Sequence, residues 1–219
     1  MKVSIEWKYK TRNNKELTLT SGFISLEDAL LISEDFEKTG RMKQLLFYDE
    51  QYTSWTKKEL SKLIKEVETE PHDVIAYFDG GFHAGMNKAG LGVAIYYTQN
   101  NQSFRMRVND QFEELDTNNE AEYAAFWFLL NQLQELGVHH MQVTFRGDSH
   151  VVLNQLSGDW PCTEKSLNRW LDRIEAKMNK LGIRPIYEPI SRKENNEADK
   201  LATQALKNVF VSSKKKLTT

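Results

Sequence analysis

The first third of the chain combines strand-like alternation with two helical segments. Residues 3–10 (VSIEWKYK) alternate apolar and polar positions, which is typical of a half-buried strand. Ser25 is predicted to cap a helix that ends before Gly40, since serine favours the N-cap and glycine the residue after a helix. The pattern predicts a small α/β unit in the order ββαββα, at residues 3–10, 17–24, 25–39, 44–48, 52–55 and 57–67.

A second and longer series of elements spans residues 72–210. The run 74–78 (VIAYF) is short and continuously apolar, as expected of a central strand that is buried on both faces. Further strands are predicted at residues 90–98, 103–109, 141–146 and 185–189, and helices at 118–136, 150–156, 164–181 and 195–209. This order predicts a mixed sheet with helices packed on its faces.

The boundary between the two series is predicted in residues 66–73 (EVETEPHD). This stretch is acidic, includes Pro71 and offers little to bury. We therefore expect a small N-terminal α/β domain at residues 1–67 and a larger domain at residues 72–210. Residues 211–219 (VSSKKKLTT) are expected to form a basic flexible tail.

Composition restricts the class of protein. Among 219 residues, 40% are hydrophobic and 27% charged, which describes an ordinary globular chain. No run reaches the roughly 18 apolar residues of a membrane span, and residues 1–10 lack the apolar segment of a secretory signal. The single cysteine, Cys162, excludes an internal disulfide, so we expect a reducing, cytoplasmic location. A net charge of −2 excludes overall positive charge as the basis of nucleic-acid binding but leaves local basic patches open.

Two acidic residues follow predicted strands. Asp79 closes the apolar run and precedes Gly80 and Gly81, and this pattern taken alone also fits a hairpin turn. Asp148 follows strand 141–146 and precedes a helix, where an N-cap is the alternative. The functional interpretation is that both carboxylates lie at strand ends, where α/β sheets place their chemistry.

Two further acidic residues fall on apolar helix faces. Glu122 precedes a stripe of apolar residues at helical spacing, namely Ala125, Leu129, Leu133 and Leu136. The alternative for Glu122 is a first-turn glutamate favoured by the helix dipole. Asp199 precedes Ala202 and Leu206 at the same spacing, and its alternative is a surface position at the edge of that face.

The four carboxylates have more meaning together than singly. Two at strand ends and two on inward helix faces can meet at one edge of the sheet. Unneutralised carboxylates about 4 Å apart repel by roughly 4 kcal/mol per pair at an effective dielectric constant near 20, so convergence implies a cation. Oxygen ligands without cysteine or clustered histidine favour Mg²⁺ or Mn²⁺ over zinc. Such a site suits phosphodiester hydrolysis.

Five sequence segments also match one known family in order. They are Tyr77-Phe78-Asp79-Gly80-Gly81, Gly90-Leu91-Gly92, the T-N-N-x-A-E-Y stretch at 117–123, Gly147-Asp148-Ser149, and the N-x-E-A-D-x-L-A stretch at 195–202. Together they resemble type 1 ribonuclease H over the C-terminal two thirds of the chain. The T-N-N-x-A-E-Y form resembles the compact prokaryotic branch of that family.

The resemblance implies a fold and an activity. The fold is a ribonuclease H-like α/β fold with a five-stranded mixed sheet, strands 1–3 antiparallel and helices on both faces, here preceded by the small α/β domain. The activity is a two-metal endoribonuclease that cuts the RNA strand of RNA–DNA hybrids and leaves 5′-phosphates, with two Mg²⁺ or Mn²⁺ ions. The partner would be the hybrid, and the chain a monomer that binds no membrane and has no disulfide partner.

The resemblance also assigns residues. The catalytic and metal-binding carboxylates are Asp79, Glu122, Asp148 and Asp199, and the helix periodicity independently selects Glu122 rather than Glu120. Contacts with the nucleic acid fall on Gly80, Thr117, Asn118, Asn119 and Ser149. Reading the RNA 2′-hydroxyl is how such a protein selects the RNA strand.

The chain departs from the family at two loops. The usual G-N-P-G-P turn after the first acidic residue is replaced by residues 84–88 (AGMNK), and the loop at 190–195 (ISRKEN) lacks the histidine of several members. These departures support an alternative, a non-catalytic or weakly active hybrid-binding protein on the same fold. A third hypothesis, a nuclease acting on duplex RNA, rests on the fold alone.

The function of the N-terminal domain is open. Its first strand and turn carry Lys8, Lys10, Arg12 and Lys15, interleaved with Trp7 and Tyr9. These residues predict a nucleic-acid-binding or interaction module in which cations bind the backbone and an aromatic ring stacks on a base. The alternative is a solvated strand edge whose lysines oppose aggregation.

Overall fold

The computed structural model describes residues 1–218, apart from the side chains of residues 66, 67 and 86. The chain divides into two compact units, Met1–Val67 and Glu68–Thr219. No helix within the described residues is long and apolar enough to cross a membrane.

The first unit is a small antiparallel sheet covered by two helices. In chain order its elements are β1 (Lys2–Lys10), β2 (Glu16–Thr20), β3 (Ile24–Ser25), α1 (Leu26–Lys38), β4 (Met42–Asp49), β5 (Ser54–Trp55) and α2 (Lys57–Thr69). The strand order is β2-β1-β4-β5, and β3 also pairs with β1. The hydroxyl of Ser25 caps α1 by accepting the Asp28 backbone N–H at 3.1 Å, as predicted. Val3, Ile5 and Phe47 lie in its buried core.

The second unit is built around a six-stranded mixed sheet. Its strands are β6 (His72–His83), β7 (Lys88–Gln99), β8 (Gln102–Glu113), β9 (Gln142–Gly147), β10 (Arg184–Pro189) and β11 (Ser212–Lys216). Its helices are α3 (Asn118–Leu136), α4 (His150–Leu156), α5 (Lys165–Leu181) and α6 (Asn196–Leu206). The strand order is β10-β9-β6-β7-β8-β11, with β9 parallel to both β6 and β10 and the remaining pairs antiparallel.

Helices α3 and α6 lie on opposite faces of this sheet and approach it very closely. A Cβ atom on Gly80 would stand 2.2 Å from the carbonyl oxygen of Ala121 in α3. A Cβ atom on Gly92, which pairs with Asp79, would stand 2.1 Å from the carbonyl oxygen of Ala198 in α6. Successive residues of a strand face opposite sides of the sheet, and Gly92 is in register with Asp79, the neighbour of Gly80. Gly80 therefore leaves room for α3 on one face, and Gly92 for α6 on the other. The mixed sheet with its first three strands antiparallel and helices on both faces, and the preceding small α/β unit, agree with the prediction.

The C-terminal segment differs from the predicted flexible tail, and the sheet accordingly has six strands rather than five. Ser212–Lys216 form β11, which pairs with β8 at the sheet edge. The buried side chain of Asn109 anchors the approach to β11: its amide donates to the carbonyl oxygens of Leu201 at 2.8 Å and Val209 at 3.0 Å, and its oxygen accepts the Val211 backbone N–H at 2.6 Å. Composition alone did not reveal this anchor, because Asn109 lies about 100 residues earlier in the chain.

Candidate active site

Asp79 lies within β6 rather than in a turn. The strand continues through Asp79 to His83, and Asp79 pairs with Gly92 of the neighbouring strand. Its residue is only 8% exposed. The hairpin-turn alternative for Asp79 is therefore excluded, and its carboxylate is held on the α6 face of the central strand.

Two glutamates near the start of α3 have different hydrogen-bond partners. Thr117 caps the helix, its hydroxyl accepting the Glu120 backbone N–H at 3.1 Å. The carboxylate of Glu120 turns back and accepts the Asp116 backbone N–H at 2.9 Å, which resembles a capping box. Glu122, which is also buried, instead accepts the backbone N–H of Gly80 at 3.2 Å. Glu122 therefore faces the central strand beside Asp79, whereas Glu120 closes the helix end.

Asp148 is positioned by a buried asparagine. It directly follows β9, and α4 begins after Ser149, so Asp148 is not the N-cap of that helix. The amide nitrogen of Asn195 donates to Asp148 Oδ1 at 2.7 Å and to the carbonyl oxygen of Phe78 at 2.9 Å. Asn195 is 1% exposed, so one buried side chain at the start of α6 connects the end of β9 to the middle of β6.

Asp199 completes the set from α6, and its partner is an exposed arginine. Arg192, in the loop before α6, lies 3.1 Å from Asp199 Oδ1 through its Nη2 atom. The Arg192 side chain is 81% exposed, whereas that of Asp199 is 29% exposed. The loop is fixed by Ser191, whose hydroxyl donates to the Glu194 carboxylate at 2.6 Å.

Electrostatics show that the four carboxylates share one environment. Burial, followed by the charges of Asp148 and Asp199, raises the pKa of Asp79 to about 7. Burial, followed by the charges of Asp79 and Asp148, raises the pKa of Glu122 well above its usual value. The nearby carboxylates also raise the pKa of the Arg192 guanidinium, Asp199 first among them. All four predicted carboxylates thus lie near one another, around the middle of β6 and the end of β9.

The donor set fits hard divalent cations. Every predicted ligand is a carboxylate oxygen, and the Oδ1 atom of Asn195, buried next to Asp148, has no hydrogen-bond partner. Within the described residues no group of three or more acidic, histidine or cysteine side chains stands in preformed ligand geometry. The carboxylates of Glu122 and Asp199 bond instead to the Gly80 backbone and to Arg192.

The residues predicted to contact nucleic acid lie around these four carboxylates. Thr117, Asn118 and Asn119 are exposed at the N-terminal end of α3, and Ser149 is half-buried beside Asp148. Gly80 is buried under α3, so only its backbone is available. Their roles remain predictions.

Sequence reasoning missed two residues of the site. Asn195 was placed at the start of a predicted helix and of the motif at 195–202, but no role was predicted for its side chain, which makes no cap hydrogen bond. Arg192 was part of a loop noted for lacking histidine. Arg192 precedes Asp199 by seven residues, a spacing that would place both side chains on one face of a continuous helix. Because α6 begins only at Asn196, this spacing was not a usable signal.

Comparisons with known proteins agree with this geometry. A family model described as reverse transcriptase-like matches residues 77–205, more than half of the chain. The uncharacterized protein YpeP of Bacillus subtilis is 46% identical over 89% of this chain and 86% of its own length. Ribonuclease HI of Halobacterium salinarum is 30% identical over 61% of this chain and 64% of its own length.

Solved structures are similar to the second unit. The crystal structure of RNase H1 from Halobacterium salinarum NRC-1 gives a TM-score of 0.53 at 27% identity, covering 62% of this chain and 98% of that one. LC11-RNase H1, isolated from compost and solved in complex with an RNA/DNA hybrid, gives 0.52 at 26% identity, covering 62% and 98%.

Proposed function

Because this chain belongs to the type 1 ribonuclease H family, we propose that it is a metal-dependent endoribonuclease that hydrolyses the RNA strand of RNA–DNA hybrids. The observation that carries the proposal is the convergence of Asp79, Glu122, Asp148 and Asp199, two of them buried with raised pKa values. Buried carboxylates that repel one another are costly unless a cation neutralises them, and a function that needs the cation explains that cost.

The four carboxylates would hold two Mg²⁺ or Mn²⁺ ions. When bound, such ions activate the attacking water and stabilise the leaving oxygen of an in-line displacement. Asn195 keeps the Asp148 carboxylate in place through its 2.7 Å hydrogen bond, and the Gly80 backbone N–H does the same for Glu122 at 3.2 Å. Hydrogen bonds thus orient two of the four carboxylates, as the outer partners of metal ligands do.

Strand choice would come from polar groups beside the carboxylates. The hydroxyl of Ser149 and the backbone of Gly80 would meet RNA 2′-hydroxyl groups, which DNA lacks. Thr117, Asn118 and Asn119 would contact phosphate and groove edges from the start of α3, where backbone N–H groups favour anions. A nuclease with these contacts would cut the RNA strand of a hybrid rather than its DNA strand.

The first unit is proposed as an accessory nucleic-acid-binding module. Residues 1–67 contain 12 Lys and Arg against 11 Asp and Glu, so their overall charge is nearly balanced. A concavity of about 370 Å³ at the turn after β1 is nevertheless lined by Lys10, Arg12, Arg41 and Lys43, of which Lys43 is paired with Glu16. Trp7 does not serve as a base-stacking platform there, because it stacks on Phe36 with ring centroids 3.7 Å apart. Binding would rest on phosphate contacts.

The test is cleavage of an end-labelled RNA–DNA hybrid in Mg²⁺ or Mn²⁺. We expect metal-dependent cuts in the hybrid RNA, none in duplex RNA, and none by the Asp148→Asn variant, which loses a charge without losing volume. Calorimetric titration of Mn²⁺ without substrate should show the matching loss of metal affinity. The alternative function, hybrid binding without catalysis, predicts hybrid affinity with no cleavage in either metal, and the altered turn at residues 84–88 would then be the first segment to replace.

A further inference from the structure

A second charged pocket lies on the α6 face of the sheet, separate from the four carboxylates. It has a volume of about 270 Å³, equivalent to roughly nine water molecules, and is lined by Arg105, Arg107, Asn196, Glu197 and Lys200. We propose that this pocket binds a phosphate group.

The pocket has more positive charge than its internal contacts need. Glu197 Oε1 lies 3.1 Å from Arg105 Nη1 and 3.5 Å from Arg107 Nε, while Glu197 Oε2 accepts the hydroxyl of Tyr96 at 2.5 Å. One carboxylate thus faces two guanidinium groups, and Lys200 makes no ion pair within the described part of the chain. An excess of two positive charges remains to attract an anion.

Hydrogen-bonding capacity is also left over. The Nε atoms of Arg105 and Arg107 are buried and have no hydrogen-bond partner, since the 3.5 Å contact of Arg107 is an ion-pair distance only. Each guanidinium group carries five N–H donors in a planar fork that matches phosphate oxygens. The two side chains are only 28% and 33% exposed, so a phosphate bound between them would be partly shielded from water and salt.

The surroundings favour the same ligand. Asn196 is the first residue of α6, which spans 11 residues, so its positive dipole end borders the pocket. Lys215 pairs with Arg105 across β8 and β11 and therefore lies on the same face of the sheet. Partly exposed ion pairs contribute little stability, so a second arginine at Glu197 adds little to the attachment of α6 to the sheet.

The pocket holds a different phosphate from one at the carboxylates. Arg107 is in register with Ala94 of β7 and Tyr77 of β6, two residues before Asp79. Two strand spacings and two residues along a strand place the backbones of Arg107 and Asp79 about 12 Å apart. A phosphate at Arg107 is therefore distinct from one bound at Asp79.

The phosphate can belong to a nucleic-acid strand or to a free phosphate monoester. The experiment titrates the full metal-free chain with inorganic phosphate, a nucleoside 5′-monophosphate and a single-stranded DNA 12-mer, measured by calorimetry. Omitting metal keeps the carboxylates from recruiting phosphate. We expect Arg107→Gln to weaken binding at least tenfold, while Arg169→Gln, an exposed arginine on α5 of the same unit, leaves it unchanged.

Comparison of these titrations identifies the source of the phosphate. A 12-mer that binds at least tenfold more tightly than the monophosphate, and loses that advantage in Arg107→Gln, identifies a nucleic-acid strand. Equal affinities identify a free monoester.

Amide chemical shifts of Asn196 and Glu197 provide a test in the unaltered protein, should the variant fold poorly. Phosphate should move both amides saturably. No shift at these amides, or equal weakening by Arg107→Gln and Arg169→Gln, would overturn the proposal. No measurement here uses cleavage, so failure of the pocket and failure of the nuclease are distinguishable.

Discussion

Glu120 and Glu122 lie two residues apart in α3, yet their carboxylates act in different places. Glu120 closes the helix end through the Asp116 backbone N–H, and Glu122 is buried against Gly80 among other carboxylates. We expect Glu122→Gln to reduce hybrid cleavage at least about a hundredfold, because metal charge stabilisation is worth several kcal/mol. Glu120→Gln should cleave at the normal rate.

Thermal stability of the metal-free protein should also distinguish the same pair. Glu120→Gln keeps a side-chain oxygen for the Asp116 backbone N–H and should leave the free energy of unfolding nearly unchanged. Glu122→Gln removes a buried, repelled carboxylate and should raise the melting temperature. Equal losses of cleavage in the two variants would show that the wrong glutamate was assigned to the metal site.

Arg192 pairs with Asp199, one of the carboxylates that would bind the metal ion. Its Nη2 atom lies 3.1 Å from Asp199, and it is exposed enough to swing away. We expect Arg192→Gln to increase Mn²⁺ affinity about two- to fivefold in calorimetry, since an exposed ion pair is worth about 0.2–1 kcal/mol. Lys193→Gln, the neighbouring exposed cation, is the control. An equal gain in both variants would indicate general charge rather than competition at Asp199.

Among the secondary-structure elements, α6 can pack closely on β7 because Gly92 has no side chain. A Cβ atom on Gly92 would collide with the Ala198 carbonyl, which is backbone and cannot rotate away. Gly92→Ala should therefore shift α6, move Asp199 and Asn195, and lower stability by roughly 1–3 kcal/mol, as overpacked sites do. Gly81→Ala faces the same helix but meets only the Leu206 side chain at 3.3 Å, so it is the matched control. Urea unfolding and cleavage assays on both variants measure this; similar effects would mean that the contact is not limiting.

The sequence predicted elements better than it predicted contacts. The apolar run 74–78 identified the central strand, and helices 118–136 and 150–156 have the predicted bounds, because local periodicity and caps decide such elements. The strand β11 and the burial of Asn195 were not predicted, since each depends on partners about 50 to 120 residues away. Glu122 and Asp199 were found because a charge on an apolar helix face conflicts with its pattern, and Asp79 and Asp148 because they follow predicted strands. Arg192 was missed because an exposed arginine conflicts with nothing.

At the scale of the whole molecule, the first unit should affect affinity rather than chemistry. Neutralising Lys10 and Arg12 together (Lys10→Gln, Arg12→Gln) should weaken hybrid binding severalfold and flatten its dependence on salt, because fewer counterions are released. The maximal cleavage rate should be unchanged. Neutralising Lys58 and Lys65 on α2 removes equal charge outside the basic concavity and serves as the control. Unchanged salt dependence, or equal effects of the two double variants, would exclude phosphate binding at the concavity.

The stability of the metal-free protein should fall as pH rises through neutrality. The pKa of Asp79 is about 7, above its ordinary 3.8, and that of Glu122 is also raised, so the folded state binds more protons than the unfolded state between these values. The stabilisation is complete below about pH 4 and is lost as pH rises through 7, with a slope of up to about 1.4 kcal/mol per pH unit for each group.

Asp79→Asn isolates this contribution, because groups elsewhere titrate equally in both proteins. The variant should become progressively more stable than the parent from pH 5 to pH 8, as measured by thermal unfolding in a chelator. Saturating Mg²⁺ should remove much of the parent's loss at pH 8, since the cation replaces the proton as the partner of the carboxylates. A constant difference between the two proteins across this range would mean that Asp79 is ionised throughout. The carboxylates would then be neutralised by Arg192 and solvent without need of a metal ion.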